Sequence, residues 1–359
     1  MTTRANRVAL AIGLGGAWVG LWGGPLVGSA IGAQPAEASE AERTEATLGS
    51  VELSQVRERA IEALVALARH ERPEVRANAI EGLTPVAARV ESVVRTGLVD
   101  PNPGVRSVAA MVVGEAKLGR AAQAARPMLS DAWPQAQASA IYALRRNGIE
   151  VDPSPLAGML LGAEDARVRA QAAFVLGELG DESAAPMLRE AIRQEMPRVG
   201  EVQKRLMRLQ MAEALIKLGD DTPLSMVRAS LYPARPEELE ATALAVQVLG
   251  EVGDRGSIDQ LIFLSAEQAD RSRTMPAEVR LAVAQSLAKM GLREGTFLAD
   301  ELADSEIEAV RSQAASVYGL AGRREHLVGL DRLTRDDSAV VRTAAWAGVL
   351  LLVDREMGG

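Results

Sequence analysis

The chain has 359 residues, 48% hydrophobic and 25% charged, a composition that excludes wholesale disorder and a polytopic membrane protein. The absence of cysteine excludes disulfides, thiolate metal sites and a cysteine nucleophile, and two histidines are too few for a multi-histidine metal centre. A net charge of −8 argues against general nucleic-acid binding.

Arg4 and Arg7 form a short basic start, and no charge follows from Val8 to Ala33. Gly23-Gly24-Pro25 breaks any helix, and small residues lead to Ile31-Gly32-Ala33. This layout predicts a secretory signal peptide over residues 1–33, cleaved after Ala33 or, alternatively, at Ala36-Glu37-Ala38. The expected location is therefore outside the cytoplasm, in the periplasm. The other reading is an uncleaved inner-membrane anchor facing the periplasm, since 26 uncharged residues are enough to span a bilayer. Residues 34–50 are rich in Ala and Glu without apolar periodicity, and read as an acidic flexible linker.

From residue 51 to 355 the chain repeats a Val-Arg pair that opens an apolar helix. Val75-Arg76, Val105-Arg106, Val168-Arg169, Val279-Arg280, Val310-Arg311 and Val341-Arg342 carry it; Met207-Arg208, Ala136-Gln137 and Ala241-Thr242 fill the other registers. The Arg-equivalent positions are 30, 31, 32, 39, 34, 38, 31 and 31 residues apart, the step of a repeat array. Val168, Ala172, Leu176 and Leu179 share one helical face, and Gly180 follows as a left-handed cap. Pro73, Pro103, Pro236 and Pro276 stand at or just before the first helical turn, where a missing N–H costs little. A second helix precedes each pair, for example Ala184–Gln194. The predicted fold is all-α: nine antiparallel helix pairs in an open superhelical arc on the order of 80–90 Å long. Residues 356–359 form a tail.

The pattern resembles HEAT-like repeats, particularly the variety of the phycobilisome lyases, over residues 52–355. The resemblance implies an α-solenoid whose Val-Arg helices line the concave side. It also implies a ladder between repeats, made by a loop Asp six residues before the Arg. Asp100/Arg106 and Asp336/Arg342 match that spacing, Asp131 precedes Gln137, and repeats five to seven lack the Asp.

Two partner-binding surfaces are expected. Positions two, five and nine after each Arg share a helical face. In repeats two to four the middle column holds Met111, Tyr142 and Phe174, with Glu115, Arg146, Gln171 and Glu178 around them and Gln210 and Glu213 continuing the wall. An apolar stripe in a polar groove suits a peptide or partner helix; the alternative is that the three pack sideways as core. The long loops of repeats five to seven carry Arg193, Arg198, Tyr232, Arg235, Arg271 and Arg273, either as partner contacts or as a solvated edge beside Glu195, Glu237 and Asp270.

No P-loop, dinucleotide fingerprint, zinc-protease helix or nucleophile elbow is present, and no cofactor or metal is expected. His70 and His326 read as surface residues, and Asp220-Asp221 and Asp336-Asp337 as helix caps. The expectation is a non-enzymatic scaffold of the cell envelope that binds a protein or peptide. The alternatives are a lyase-like enzyme or enzyme subunit acting on a bound prosthetic group, and a membrane-tethered adaptor.

Overall fold

The computed structural model describes residues 40–266 and 274–358, with side chains for 52–266 and 274–357. The signal-peptide segment 1–33, and Arg271 and Arg273, lie outside the described residues.

Among the described residues the chain is helical throughout, without a strand. Nine inner helices each contain one Arg-equivalent position: α2 (Pro73–Gly82), α4 (Pro103–Glu115), α6 (Pro134–Arg146), α8 (Ala166–Leu179), α10 (Glu201–Lys217), α12 (Leu239–Glu251), α14 (Ala277–Lys289), α16 (Glu308–Ala321) and α18 (Ala339–Gly358). Nine outer helices precede them: α1 (Glu40–Leu67), α3 (Glu91–Gly97), α5 (Gly119–Ala124), α7 (Ser154–Gly162), α9 (Ala185–Arg193), α11 (Leu224–Ala229), α13 (Ile258–Ser265), α15 (Phe297–Leu302) and α17 (Leu327–Leu333).

Local chemistry sets these boundaries. Pro73, Pro103 and Pro134 occupy the first turns of α2, α4 and α6. The Asn102 side chain accepts from the Gly104 and Val105 N–H groups, and Asp165 accepts from Arg167 N–H. Gly180 and Gly322 end α8 and α16 at φ 71° and 61°, a conformation costly for any residue with a Cβ. Two boundaries differ from expectation, since α18 also runs through the expected tail to Gly358. Residues 40–50 belong to α1 instead of a flexible linker, because Ala and Glu favour helix even where no apolar periodicity announces one.

The inner helices pack in order, α2 on α4 and onward to α18. Then α18 packs on α1 and α2. The array is therefore a closed ring, which corrects the open arc. An apolar cluster unites Leu53, Ile61 and Leu64 of α1 with Val349, Leu350 and Val353 of α18. Arg57 Nε pairs with Asp354 Oδ1 at 2.5 Å across the seam. A Cβ on Gly82 of α2 would lie 2.8 Å from the Ala347 Cβ of α18, so the two helices touch backbone to backbone. A turn of roughly 40° per repeat, summed over nine, brings the ends together.

Four glycines tighten the ring. Gly114, Gly177, Gly250 and Gly319 stand eight residues after the Arg-equivalent positions of α4, α8, α12 and α16. A Cβ on Gly177 would lie 2.8 Å from Ala214 Cα, one on Gly250 2.7 Å from Ser286 Cα, and one on Gly319 2.5 Å from Gly348 Cα. At Gly114 the Tyr142 ring takes the space. Every second inner interface is thus held closer than a side chain allows.

Candidate functional site: inner wall and loop rim

Five of the nine predicted groove residues lie in the interior, whereas Glu115, Glu178 and Glu213 are half-buried and Arg146 is exposed. Met111, Tyr142 and Phe174 are only 3%, 3% and 8% exposed and share one apolar cluster. Gln171 and Gln210 are buried as well. Gln171 Nε2 donates to Ser139 Oγ at 3.2 Å, joining α8 to α6. The open, solvent-lined concave wall is therefore corrected. Closing the ring and removing side chains at the four glycines brings neighbouring inner helices so near that the wall residues fill the space between them. Of the two readings offered by the sequence, sideways packing as core is the one the structure shows.

The ninth-position residues form a charged girdle. Glu115, Arg146, Glu178, Lys217, Glu251 and Lys289 alternate in sign along α4 to α14. Lys217 Nζ meets Glu178 at 2.6 Å, Glu213 at 2.7 Å and Glu251 at 3.9 Å, and Lys289 meets Glu251 at 2.7 Å. Burial alone would lower the Lys217 pKa. The carboxylates of Glu213, Glu178 and Glu251 outweigh it and raise the value, so Lys217 stays a cation. The Lys217 ammonium also lies 5.5 Å from the Phe174 ring centroid, and the Arg146 guanidinium 5.9 Å from that of Tyr142. Among the described residues no base holds the girdle acid Glu115 within ion-pair distance. Its pKa is pushed up to about 7, first by burial and then by Glu178 and Glu251, with Arg146 opposing. Tyr142 rises to about 12, chiefly through burial. Past α14 the girdle gives way to the apolar group Ala288, Leu320 and Leu351.

The opposite ends of the inner helices meet the loops that enter them, forming a rim. Here the ladder appears. Arg76 donates two bonds to Asp100, Arg106 two to Asp131 and Arg311 two to Asp336, each reaching the next repeat. Where the Asp is missing, Arg169 Nη1 donates to Gln194 Oε1 at 2.7 Å and Arg280 pairs with Glu301 at 3.2 Å. Gln137 and Thr242 bond only to carbonyls, of Asp131 and of Ser230 and Glu238.

The loop-edge residues Arg193, Arg198, Tyr232 and Arg235 are exposed. Arg198 faces Glu164 at 3.6 Å with both side chains in solvent, a weak pair. Tyr232 is 65% exposed and its hydroxyl donates to Gln260 Oε1. Other large apolar residues stand exposed on the same rim and were not anticipated: Val99 at 76%, Trp133 at 53% and Ile307 at 54%. The available signal was a tryptophan placed directly before a helix-opening proline, Trp133-Pro134, inside a loop.

His326, expected at the surface, is buried. It stacks on Tyr318 with ring centroids 5.4 Å apart, and burial lowers its pKa. The short turn between α16 and α17 folds it inward. Asp220 accepts from Thr222 N–H and pairs with Arg189, and Asp336 accepts from Ser338 N–H, as capping residues do. Among the described residues no group of three metal-ligating side chains is present, and no helix is long and apolar enough to cross a membrane.

Residues 52–145 match the HEAT repeat family, and residues 168–194 match the PBS lyase HEAT-like repeat. These two stretches carry HEAT-like repeats. No curated protein matches the chain. Similar solved structures include human deoxyhypusine hydroxylase with glycerol, 16% identical over 83% of this chain and 98% of that one, at a TM-score of 0.36. Kap121p bound to Pho4p is 12% identical over 80% of this chain and 41% of the other, also at 0.36. The CpcE–CpcF complex of phycocyanin lyase from Nostoc is 17% identical over 72% and 94%, at 0.31.

Proposed function

We propose that this HEAT-repeat ring is a non-enzymatic scaffold of the cell envelope that binds a protein partner on its loop rim, not in a concave groove. The observation that carries the reading is the exposed apolar set Val99, Trp133, Tyr232 and Ile307, presented on one rim of a ring whose inner wall is packed. A half-exposed tryptophan on a rigid, proline-anchored loop supplies a large contact area at little entropic cost. Export rests on the basic start and uncharged stretch of residues 4–33. The test is capture from envelope extract with the whole mature chain. A Val99→Asp/Trp133→Ala variant of unchanged helicity should retain at most about a tenth of the wild-type partner. Undiminished capture rejects the rim.

The enzyme-subunit reading has one observation in its favour, the shifted acid Glu115 within the girdle. It requires a chromophore or other prosthetic group to co-purify with the chain.

A further inference from the structure

The ladder has a regular chemistry. In each complete rung the arginine Nε and Nη2 donate to both oxygens of the next repeat's loop aspartate, at 2.7–3.0 Å for Arg76–Asp100, Arg106–Asp131 and Arg311–Asp336. Nη1 meanwhile donates to the carbonyl six residues back in its own repeat. Each aspartate also closes its own loop by accepting from the N–H two residues on, that of Asn102, Trp133 or Ser338.

Arg342 adopts the same pose. Its Nη1 donates to the carbonyls of Asp336 at 2.6 Å and Asp337 at 2.9 Å. Because the ring is closed, the repeat that follows Arg342 is the first one. There the position six residues before Arg76 is His70. His70 replaces the aspartate in the loop as well: its Nδ1 accepts from Arg72 N–H at 3.1 Å, as an aspartate Oδ1 would. A neutral imidazole that accepts at Nδ1 carries its proton on Nε2. The residue standing in the acceptor's place is thus itself a donor. The two loops lie side by side, since Arg72 Nη2 is 3.7 Å from Glu308, whose carboxylate accepts from Ser338 Oγ. Among the described residues nothing accepts from Arg342 Nε or Nη2.

We infer that the seam of the ring binds a carboxylate from outside the chain, held between the Arg342 guanidinium fork and the His70 imidazole. The site takes the group that every complete rung supplies internally, and planar carboxylate geometry matches the fork. It does not depend on the rim apolar residues or on the partner proposed above.

The test uses the full mature chain and follows the Arg342 Nε–Hε resonance during titration with sodium acetate, against sodium chloride at matched ionic strength. The expected result is a saturable shift with a midpoint in the millimolar range for acetate alone, as befits a partly exposed pair. His70→Asp supplies the carboxylate in cis. It should move the resonance to the acetate-saturated position, abolish the response and raise the melting temperature by about 2 °C. A Gly-Asp-Gly peptide distinguishes the carriers: binding about tenfold tighter than acetate marks a protein-borne group, and equal binding marks a small ion. Equal shifts with chloride, or a His70→Asp variant whose resonance and melting temperature match wild type, overturn the inference.

Discussion

The ring holds its repeats together in two different ways. In repeats one to three, and again in eight and nine, arginine–aspartate rungs at the rim join neighbours, with arginine side chains 15–19% exposed. In repeats four to seven the aspartates are missing, and in repeats five to seven the loops are also longer. There a second set of ion pairs joins the other end of the inner helices, Glu178–Lys217 and Glu251–Lys289, beside Arg205–Glu238 and Arg280–Glu301 at the rim. The two systems hardly overlap around the circle. The ladder positions of repeats four to seven hold Ala163, Val202, Pro236 and Thr274, which supply no carboxylate, whereas the helix ends opposite keep their charges. The girdle therefore adds charge pairing between repeats in the middle arc.

That division can be broken from either side. The largest effect is expected for Lys217→Met, which leaves Glu178 and Glu213 without their shared cation while Glu251 keeps Lys289. Denaturant melts should show about 3 kcal/mol of destabilisation; a change below about 1 kcal/mol would mean the girdle adds little to the ring. Arg106→Ala, which removes a single rim rung, is expected to cost about 2 kcal/mol, since Asp131 keeps its backbone bond from Trp133. If this rung proves costlier than Lys217, the ranking of the two systems is reversed.

The smallest effect sharpens the picture through pH. The Glu115 pKa is pushed up to about 7 in the ring, above the ordinary glutamate value of 4.5. The native state therefore holds a proton that the unfolded chain releases first. Its contribution favours folding at acid pH and is lost as pH rises from about 4.5 to 7. Glu115→Gln should flatten wild-type stability over that window and exceed wild type by about 1 kcal/mol at pH 8. Parallel pH curves for the two proteins would contradict the burial of Glu115 beside Glu178 and Glu251.

Much of this architecture is legible in the sequence. The Val-Arg register places all nine inner helices, and the spacing of Asp100 and Asp336 points to the ladder. Ring closure is not legible, because it depends on the angle between successive pairs, a sum of small rotations that no local pattern states. Gly177 and Gly250 are visible within Leu-Gly-Glu sequences, yet only the contact with Ala214 or Ser286 shows that they set helix spacing. For the same reason Met111, Tyr142 and Phe174 look like a groove on one helix wheel and become core once the neighbouring helices are in place. The rim set was harder still, since a loop tryptophan such as Trp133 has no periodicity to betray its exposure.

Closure of the ring is tested most directly by a distance across the seam. The chain has no cysteine, so Arg59→Cys with Glu356→Cys gives two unique spin-label sites, each two residues beyond the Arg57–Asp354 pair. Double electron–electron resonance should return one narrow distribution centred at about 25 Å, label arms included. A broad distribution on the order of 60 Å or more would describe an open solenoid and contradict the closed ring.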